Sequence, residues 1–268
     1  MPKVTRRQFL YGIASASAGI GLFQYGSADK LTLERRELRL PKWDAEGFRV
    51  AVLADLHADS PRRTRRAMAA VKMAMAELPD LIVISGDHAS STEPDVLNQV
   101  KCTFDLFHEA KCPVVAVMGN HDYWGAQPRK LIDVIRRSPV KLLRNEDFEV
   151  GGVTISGIDD ALMKHHRVDF MREDRSSRST IALLHEPDFV SIVPECASLQ
   201  ISGHSHGGQI CLPFGICIHT PRGAWNYVEG YYPEARVPLY VTRGVGTTGP
   251  DVRLFCKPEV SVLTLRSA

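Results

Sequence analysis

Polar residues that can bind a metal ion follow a short apolar run near the middle of the chain. Residues 114–118 (VVAVM), between Pro113 and Gly119, have the β-branched character of a buried strand. Asn120 and His121 come directly after the glycine, at the end of that strand. Ligands of open α/β sheets bind in the crevice at the carboxyl ends of the strands. A solvated turn would explain these residues equally well, so the interpretation depends on whether the pattern recurs.

The pattern recurs at other places along the chain. Asp55 and His57 follow the apolar run 48–53, and strand alternation predicts that both side chains face the same side. Asp87 follows the apolar residues 81–84. The remaining polar residues that follow apolar runs are His185, His204 and His206.

Together these residues offer carboxylate, imidazole and amide groups, which suit Mn²⁺, Fe or Zn²⁺. These candidate ligands exceed the needs of one ion, but they suffice for two ions if one carboxylate bridges them. Two ions about 3.5–4 Å apart are the usual arrangement for the hydrolysis of phosphate esters. The residues therefore predict a dinuclear metal site.

The composition of the chain is that of one globular domain. Its 268 residues are 44% hydrophobic and 24% charged, which allows a large core. The net charge of +2 gives no reason to expect a nucleic-acid partner. Apolar runs alternate with predicted helices at about 61–77, 95–109 and 128–137, which indicates an α/β fold. From Leu142 onward the strands become short and alternating, with a hairpin turn at Gly151-Gly152, and this indicates a second, more antiparallel sheet.

The first 28 residues have the features of a targeting segment. Arg6 and Arg7, followed by Phe9 and Leu10, precede a weakly apolar stretch over 11–25 and then small residues. The arginine pair resembles a twin-arginine export signal, although an ordinary basic helix would share some of these features. We therefore expect residues 1–28 to be a signal or a retained membrane anchor and residues 29–268 to form the functional domain. The expected location is periplasmic or otherwise extracytoplasmic, in association with a membrane.

Three further features leave alternatives open. A basic cluster near residues 62–66 is either a solvated helix face or a contact for an anion or lipid headgroup. Aromatic residues near the polar motifs either pack in the core or line a groove for acyl chains or a sugar. None of the six cysteines forms a C-x-x-C pair, so we interpret them mainly as core residues and leave a Cys211–Cys217 disulfide open.

The ordered motifs resemble the complete signature of the calcineurin-like metallophosphoesterases, and they span nearly all of the chain after residue 28. The motifs are Asp55-x-His57, Gly86-Asp87, Gly119-Asn120-His121-Asp122, His185 and Gly203-His204-x-His206. The continuation over 207–209 and the C-terminal segments 243–246, 253–254 and 258–259 resemble an exported phosphodiesterase branch. Some relatives in that branch hydrolyse the pyrophosphate of UDP-2,3-diacylglucosamine in lipid A synthesis.

The resemblance implies a role for each motif residue. One ion would be bound by Asp55, His57 and His206, the second by Asn120, His185 and His204, and Asp87 would bridge them. His121 would protonate the leaving oxygen, and Asp122 would orient His121. His88 departs from the expected pattern after Asp87, and we expect it to point aside because adjacent strand residues face opposite sides.

The resemblance also implies the fold and the reaction. We expect two packed mixed β-sheets flanked by helices, with the two divalent ions at the strand ends. A hydroxide between the ions would attack a phosphodiester or pyrophosphate, with a lipid- or envelope-related substrate such as UDP-2,3-diacylglucosamine. A phosphomonoesterase of the same fold and a catalytically silent metal-binding envelope protein are the alternatives. The expected partners are the phosphoester or pyrophosphate substrate, in a lipid-linked form, and a membrane surface, without nucleic acid.

Overall fold

Two six-stranded sheets pack face to face in a computed structural model that describes residues 28–125, 127–171 and 179–268. In chain order the strands are β1 (Thr32–Leu40), β2 (Phe48–Leu53), β3 (Leu81–Ser85), β4 (Val114–Val117), β5 (Lys141–Leu142), β6 (Glu146–Val150), β7 (Val153–Gly157), β8 (Thr180–Leu183), β9 (Leu199–Ser202), β10 (Cys211–Leu212), β11 (Ile216–Cys217), β12 (Gly230–Tyr232), β13 (Leu239–Val241) and β14 (Glu259–Ser267). The α-helices are α1 (Pro61–Ala76), α2 (Pro94–Asp105), α3 (Asn120–Trp124) and α4 (Pro128–Arg136). Short 3₁₀ helices lie at Leu106–Glu109, Pro187–Ile192, His206–Gly208 and Pro213–Gly215.

The first sheet has the strand order β1-β14-β2-β3-β4-β5. Strands β2 to β5 run parallel, so their carboxyl ends meet at one edge. The C-terminal strand β14 lies between β1 and β2, antiparallel to β2. The apolar runs at 48–53, 81–84 and 114–117 are therefore strands, as the sequence predicts.

Helices cover the outer face of this sheet. Ser60 caps α1 by accepting a hydrogen bond from the Arg63 amide (3.4 Å), and Pro61 begins the helix. The predicted apolar face of α1 is buried, and it includes Ala67 and Val71. The alternation of β2 serves both sides of the sheet: Ala51 and Leu53 join the core beneath the helices.

The core between the two sheets consists mainly of branched apolar side chains. Val50 and Val52, which alternate with the helix-facing residues of β2, pack there. The second sheet contributes Ile155, Ile181 and Ile201 to the same cluster. Each of these side chains is almost fully shielded from solvent, so the sheets are fixed against one another by apolar burial. The expected α/β fold of two packed mixed sheets flanked by helices is confirmed.

The second sheet differs from the expectation of a more antiparallel arrangement. Its order is β12-β13-β9-β8-β7-β6, and the four inner strands are parallel. Only the edge strands β6 and β12 are antiparallel to their neighbours. The hairpin at Gly151-Gly152 is present as predicted, but long connections join the inner strands. The prediction was wrong because it assumed that the strands after the β6–β7 hairpin are also joined by hairpins. Crossover connections join them instead, and these produce parallel pairs.

The basic cluster at the start of α1 is only in part a solvated face: Arg65 is exposed, whereas the other arginines of the cluster are partly or fully buried. Arg66 is buried, and its guanidinium contacts Asp251 at 2.8 Å and Asp29 at 3.3 Å. Arg62 pairs with the same two carboxylates, at 2.8 Å to Asp29 and 3.1 Å to Asp251. An internal ion-pair network therefore uses these arginines to tie the start of the described chain to the C-terminal loops.

The cysteines are free thiols in the structure. Cys211 and Cys217 face each other across the β10–β11 hairpin, with their Sγ atoms 3.6 Å apart. The structure therefore has two neighbouring thiols at this position and no disulfide bond between them.

Within residues 28–125, 127–171 and 179–268, no helix has the length and apolar character needed to cross a membrane. The predicted signal, including Arg6 and Arg7, lies outside the described residues except for Ala28.

The inter-sheet core predicts the effect of a truncation. Ile201→Ala should lower the free energy of unfolding by about 2–5 kcal/mol, because it leaves a cavity between two rigid sheets. Leu78→Ala, at an exposed position, should change it by less than about 0.5 kcal/mol. Denaturant unfolding of both variants measures the difference. Equal effects would contradict this description of the core.

Candidate metal centre

The candidate ligands lie on loops at the carboxyl ends of strands from both sheets. The loops after β2, β3 and β4 come from the first sheet, and those after β8 and β9 come from the second. Because the two sheets pack face to face, these loops converge at one edge of the sandwich. The site is thus assembled from segments far apart in sequence.

Strand alternation does not explain how Asp55 and His57 reach the site. Both follow the end of β2, and both adopt the left-handed backbone conformation, with φ of 53° and 41°. Asp87, His204 and His206 share that conformation, with φ of 55°, 69° and 51°. Such residues cost about 1–3 kcal/mol each unless the surroundings enforce the geometry. The sharp turns after each strand direct the side chains inward.

Hydrogen bonds between the loops hold these turns. The amide of Asp55 donates to the Gly86 carbonyl (3.0 Å), and the amide of His57 donates to the Asp87 carbonyl (3.1 Å). The His204 amide donates to the Asp55 carboxylate (3.1 Å), which connects the two sheets at this edge. The unusual conformations are therefore mutually supported.

Two motif glycines are needed for this close approach. A Cβ on Gly86 would lie 2.6 Å from His185 Nδ1, and φ at this glycine is 81°. A Cβ on Gly203 would lie 2.5 Å from the Cβ of Ala54. Both distances are shorter than real Cβ contacts, so only glycine leaves room for the neighbouring loops.

The structure brings the Asp and His residues into two groups that share one carboxylate. Within each group the possible ligand atoms lie within 4.8 Å of one another. The larger group is Asp55, His57, Asp87 and His206, and the smaller is Asp87, His185 and His204. Asp87 is therefore in the position that a bridging ligand requires.

The distances and unsatisfied atoms in the two groups fit metal coordination. His57 Nε2 and His185 Nε2 lie 3.6 and 3.2 Å from Asp87 Oδ2, and His206 Nε2 lies 3.4 Å from Asp55 Oδ1. Ligand atoms about 2.1 Å from one ion are separated by about 3.0–3.5 Å. Asp87 Oδ2 and His57 Nε2 are buried without a hydrogen-bond partner among the described residues. Buried polar atoms without partners are costly, and a shared cation would satisfy them.

Asn120 places an amide beside these groups. It begins α3, and its side chain is buried. Its Oδ1 has no hydrogen-bond partner among the described residues, so this oxygen is available to a cation. The next residue supports Asp87 instead: the His121 amide donates to Asp87 Oδ1 (2.9 Å).

Hydrogen bonds on the far side of the imidazoles fix their orientation. His185 Nδ1 lies 2.6 Å from the Ser85 carbonyl, and His57 Nδ1 lies 2.9 Å from Ser90 Oγ. His204 uses Nε2 instead, 2.9 Å from the carbonyl of Arg222. In each ring the second nitrogen is thereby directed at the candidate metal groups. Such outer contacts select the tautomer that leaves a lone pair for a metal.

Asp87 and His185 form a charged pair at the centre of the site. Burial opposes ionisation of Asp87, but the nearby charge of His185 holds the pKa of this carboxyl well below its usual value. Burial likewise acts to lower the pKa of His185, and the nearby charge of Asp87 raises it well above the usual value. Without a cation, the proton on His185 thus balances the negative charge of Asp87. A bound cation would take over that role.

The other imidazoles are neutral near physiological pH. Burial lowers the pKa of His57 to about 4, against the attraction of Asp87. Burial also lowers the pKa of His204, with the charge of His185 acting in the same direction. Burial and nearby His57 hold the pKa of His206 well below its usual value. Neutral imidazole is the form that binds metal ions, so these rings need no deprotonation first.

A cavity of about 670 Å³ opens over the two groups. Asp87, Asn120 and His121 line its metal-facing part. The His121 ring lies edge-on to the His57 ring, with centroids 4.9 Å apart, and its Nδ1 has no partner among the described residues. His121 therefore faces the space where a substrate would meet the candidate metal groups.

Asp122 has a different position from the one expected. Its Oδ1 accepts hydrogen bonds from the backbone amides of His88 (2.8 Å) and Ala89 (3.1 Å), and its Oδ2 accepts one from the Gly119 amide (2.9 Å). No hydrogen bond from Asp122 to His121 is present in the described structure. The role of Asp122 in orienting His121 stays a prediction, and in the structure its buried carboxyl group joins the loops after β3 and β4.

His88 points away from the two groups, although strand alternation is not the cause. Its Nε2 lies 3.0 Å from the Val117 carbonyl, and its ring packs edge-on against Phe104. The left-handed turn at Asp87 separates the two neighbouring side chains.

Several residues of the site could not be identified from the motifs. Arg253 is fully buried, and its guanidinium donates to the carbonyls of His206 (3.0 Å), Gly246 (2.8 Å) and Arg243 (2.8 Å). It thereby fixes the loop that carries His206 from a position 47 residues away. His219, which belongs to none of the sequence motifs, also lines the cavity. Only the folded arrangement of the C-terminal loops reveals these contacts.

Comparison with known proteins agrees with the geometry. The model of the family described as "Calcineurin-like phosphoesterase" matches residues 48–208, which is more than half of the chain. The chain is 28% identical to an uncharacterized metallophosphoesterase, YkuE, of Bacillus subtilis, over 100% of this chain and 99% of that protein. It is also 28% identical to the phosphodiesterase YaeI of Escherichia coli, over 98% of this chain and 99% of that protein.

A more distant relative is the UDP-2,3-diacylglucosamine pyrophosphatase LpxG of Chlamydia muridarum. It is 23% identical to the chain, over 87% of this chain and 88% of that protein. The chain therefore belongs to the calcineurin-like phosphoesterase family and is a hydrolase of phosphate esters.

Proposed function

We propose that the chain uses two divalent ions to hydrolyse a phosphodiester or pyrophosphate bond in an amphiphilic substrate. The observation that carries this proposal is the position of the two Asp/His groups, which share Asp87 beneath a cavity with largely apolar walls. Mn²⁺, Fe and Zn²⁺ suit the mixture of imidazole, carboxylate and amide donors. Family membership supports metal use, and the paired groups support two ions.

The residues of the chain would divide the work as follows. Asp55, His57 and His206 would hold one ion, and Asn120, His185 and His204 would hold the other, with Asp87 between them. Two such cations supply charge stabilisation at the phosphoryl oxygens and activation of water. His121 would donate a proton to the leaving oxygen, because its ring lines the cavity beside the candidate metal groups. Burial lowers the pKa of His121, so its protonated form is a stronger acid but is less populated near neutral pH.

The cavity walls favour an apolar group next to the reacting phosphate. Leu162, Met163, Ile210 and Ile218 line the same space as His121. A cavity of this size and lining accepts a substrate with an apolar portion as well as a phosphate. The relative from Chlamydia muridarum is named for a substrate that carries two acyl groups, and the relative from Escherichia coli is named a phosphodiesterase. Both names support a lipid-linked diester or pyrophosphate such as UDP-2,3-diacylglucosamine for this chain.

A phosphomonoesterase and a silent metal-binding protein remain the competing hypotheses. A monoester carries more charge on its phosphate and needs no apolar wall, so the cavity favours a diester or pyrophosphate. A silent protein would have no need for an imidazole that faces the cavity without a partner, as His121 does among the described residues.

His121 provides the test of the reaction. With added Mn²⁺ the chain should hydrolyse bis-p-nitrophenyl phosphate, and p-nitrophenyl phosphate more slowly. His121→Ala should keep its metal content but lose about 10²–10⁴-fold in rate on alkyl diesters, whose leaving oxygen needs a proton. The loss should be much smaller for p-nitrophenyl esters, because p-nitrophenolate departs without protonation.

Metal analysis and rates across esters of graded leaving-group pKa check these outcomes. No turnover by the unsubstituted chain at any metal concentration would favour the silent protein. Loss of metal, or an equal rate loss on every ester, would show that His121 is a ligand or a positioning group.

Asp87 provides the test of the ion count. Asp87→Asn should reduce bound metal from two ions per chain towards one or none, because a neutral amide cannot balance two cations. Asp147→Asn, on the edge strand β6, is the matched control and should retain the original metal content. Inductively coupled plasma analysis of the dialysed proteins measures both. Two tightly bound ions in Asp87→Asn would refute the bridging role.

We also infer that the protein is exported through the twin-arginine pathway and acts outside the cytoplasm, at a membrane. Arg6 and Arg7 and the apolar stretch that follows them support this location. Changing both arginines to lysine should block export of a reporter fused to residues 1–28. The reporter's location in cells with and without the pathway measures the effect, and export that persists without the pathway would disprove this route.

A further inference from the structure

A short hairpin beside the cavity exposes apolar side chains to solvent. It comprises strands β10 and β11 with their flanking residues, over Ile210 to Ile218, and the sequence ICLPFGICI contains no charged residue. Leu212 and Ile216 are paired across the hairpin and are 48% and 58% exposed. Phe214 at the tip is 100% exposed. Exposed apolar surface of this kind marks a place where another apolar phase or partner binds.

The two faces of the hairpin have the reverse of the usual polarity. In antiparallel pairs with one solvated face, the outer side chains are normally polar. Here the paired thiols Cys211 and Cys217 turn towards the protein, where both lie near the Gly207 carbonyl. The large branched residues Leu212 and Ile216 face outward. The hairpin thus presents its more apolar side to the surroundings.

The apolar surface continues at the base of the hairpin and into the cavity. Phe255, which is 60% exposed, follows Leu254, whose carbonyl accepts a hydrogen bond from the Cys211 amide (2.9 Å). Ile210 and Ile218, at the two ends of the hairpin, line the cavity above the candidate metal groups. Whatever covers the hairpin therefore lies at the mouth of the cavity.

The charge around this surface suits an anionic lipid phase. The sequence contains no Asp or Glu from residue 196 to residue 228. Arg222 and His219 line the cavity in the same region. Trp124, also at the cavity, is 59% exposed, and tryptophan is favoured at the boundary between lipid and water. Basic and aromatic groups next to an apolar tip are typical of surfaces that lie on membranes.

The start of the described chain lies at the same edge of the molecule. The Ala28 carbonyl accepts a hydrogen bond from Arg66 (3.3 Å), and Arg66 also contacts Thr247 (3.2 Å). The next residue, Thr248, lines the cavity. The described chain therefore begins on the side of the domain that carries the hairpin.

We propose that the hairpin over Ile210 to Ile218, named here the apolar hairpin, inserts into the outer layer of a lipid bilayer and docks the cavity on the membrane. Its substrate would be a membrane-resident amphiphile whose phosphate lies at headgroup depth, and this part rests on the proposed function. A bilayer is favoured over a protein partner because the Phe214 tip is fully exposed. A projecting tip can enter lipid without a complementary surface, whereas a protein partner has to match its shape.

Vesicle binding by the full chain tests the proposal without any turnover. The double variant Phe214→Asn/Ile216→Thr removes the apolar tip, and Asn suits the left-handed backbone at residue 214 (φ 70°). Leu78→Asn is the matched control, because Leu78 is also left-handed (φ 48°) and 70% exposed but lies after α1, away from the cavity. With vesicles of phosphatidylethanolamine and phosphatidylglycerol, the double variant should need at least tenfold more lipid for half-maximal sedimentation. Leu78→Asn should bind like the unsubstituted chain.

A local probe separates the hairpin from the N-terminal segment, which can itself bind lipid. Phe214→Trp should add fluorescence that doxyl-labelled lipids quench, whereas the emission added by Leu78→Trp should not be quenched. Hydrolysis of soluble bis-p-nitrophenyl phosphate should be unchanged in all four variants. Failure of that hydrolysis in the unsubstituted chain as well would contradict the proposed function and leave vesicle binding as the measure of docking.

Two results would overturn the proposal. The first is equal lipid binding by the double variant and the unsubstituted chain, together with a probe at residue 214 that lipid does not quench. The second is self-association in the absence of lipid that Phe214→Asn/Ile216→Thr abolishes, measured by analytical ultracentrifugation. That result would assign the apolar hairpin to a contact with a second copy of the chain.

Discussion

A carboxylate oxygen that no described hydrogen-bond donor satisfies stands at the centre of the molecule. Asp87 Oδ2 is buried between the imidazoles of His57 and His185, while Oδ1 accepts the His121 amide. Keeping a charge in such a place is unfavourable unless a compensating charge comes with it. The pairing with His185 supplies that compensation in the protein alone, and a cation would replace it. The rest of the fold serves to hold this arrangement together.

The sandwich provides the rigidity that the arrangement requires. The left-handed turns at the ends of its strands would relax if the strands could slide, but apolar burial between the sheets prevents this movement. The loops also support one another, since Asp122 joins the loops after β3 and β4 and Arg253 fixes the loop after β9. The edge that carries the site is thus stiffened partly by contacts of residues that are not candidate ligands.

The sequence was informative where a residue type has few structural options. The apolar runs predicted the parallel strands of the first sheet, and the motif glycines beside Asp87 and His204 lie where the folded loops approach closely. Strand alternation failed for Asp55 and His57, because the chain had already left the strand and turned left-handed there. The direction of the inner strands of the second sheet was predicted wrongly, because a crossover connection has no short sequence pattern comparable to that of a hairpin turn. Arg253 could not be recognised as a supporting residue, because its contacts depend on how the C-terminal loops fold.

The location of β14 has a consequence for how the protein matures. The strand Glu259–Ser267 lies between β1 and β2, so β1 pairs with residues more than two hundred positions later in the chain. The loops that precede it, with Arg253, hold His206 in place. A ribosome releases the N-terminal half of the sandwich long before these last residues are available, and pairing across such a separation is slow. The candidate metal site is therefore complete only once β14 has been synthesised, so its assembly belongs to a late stage of folding.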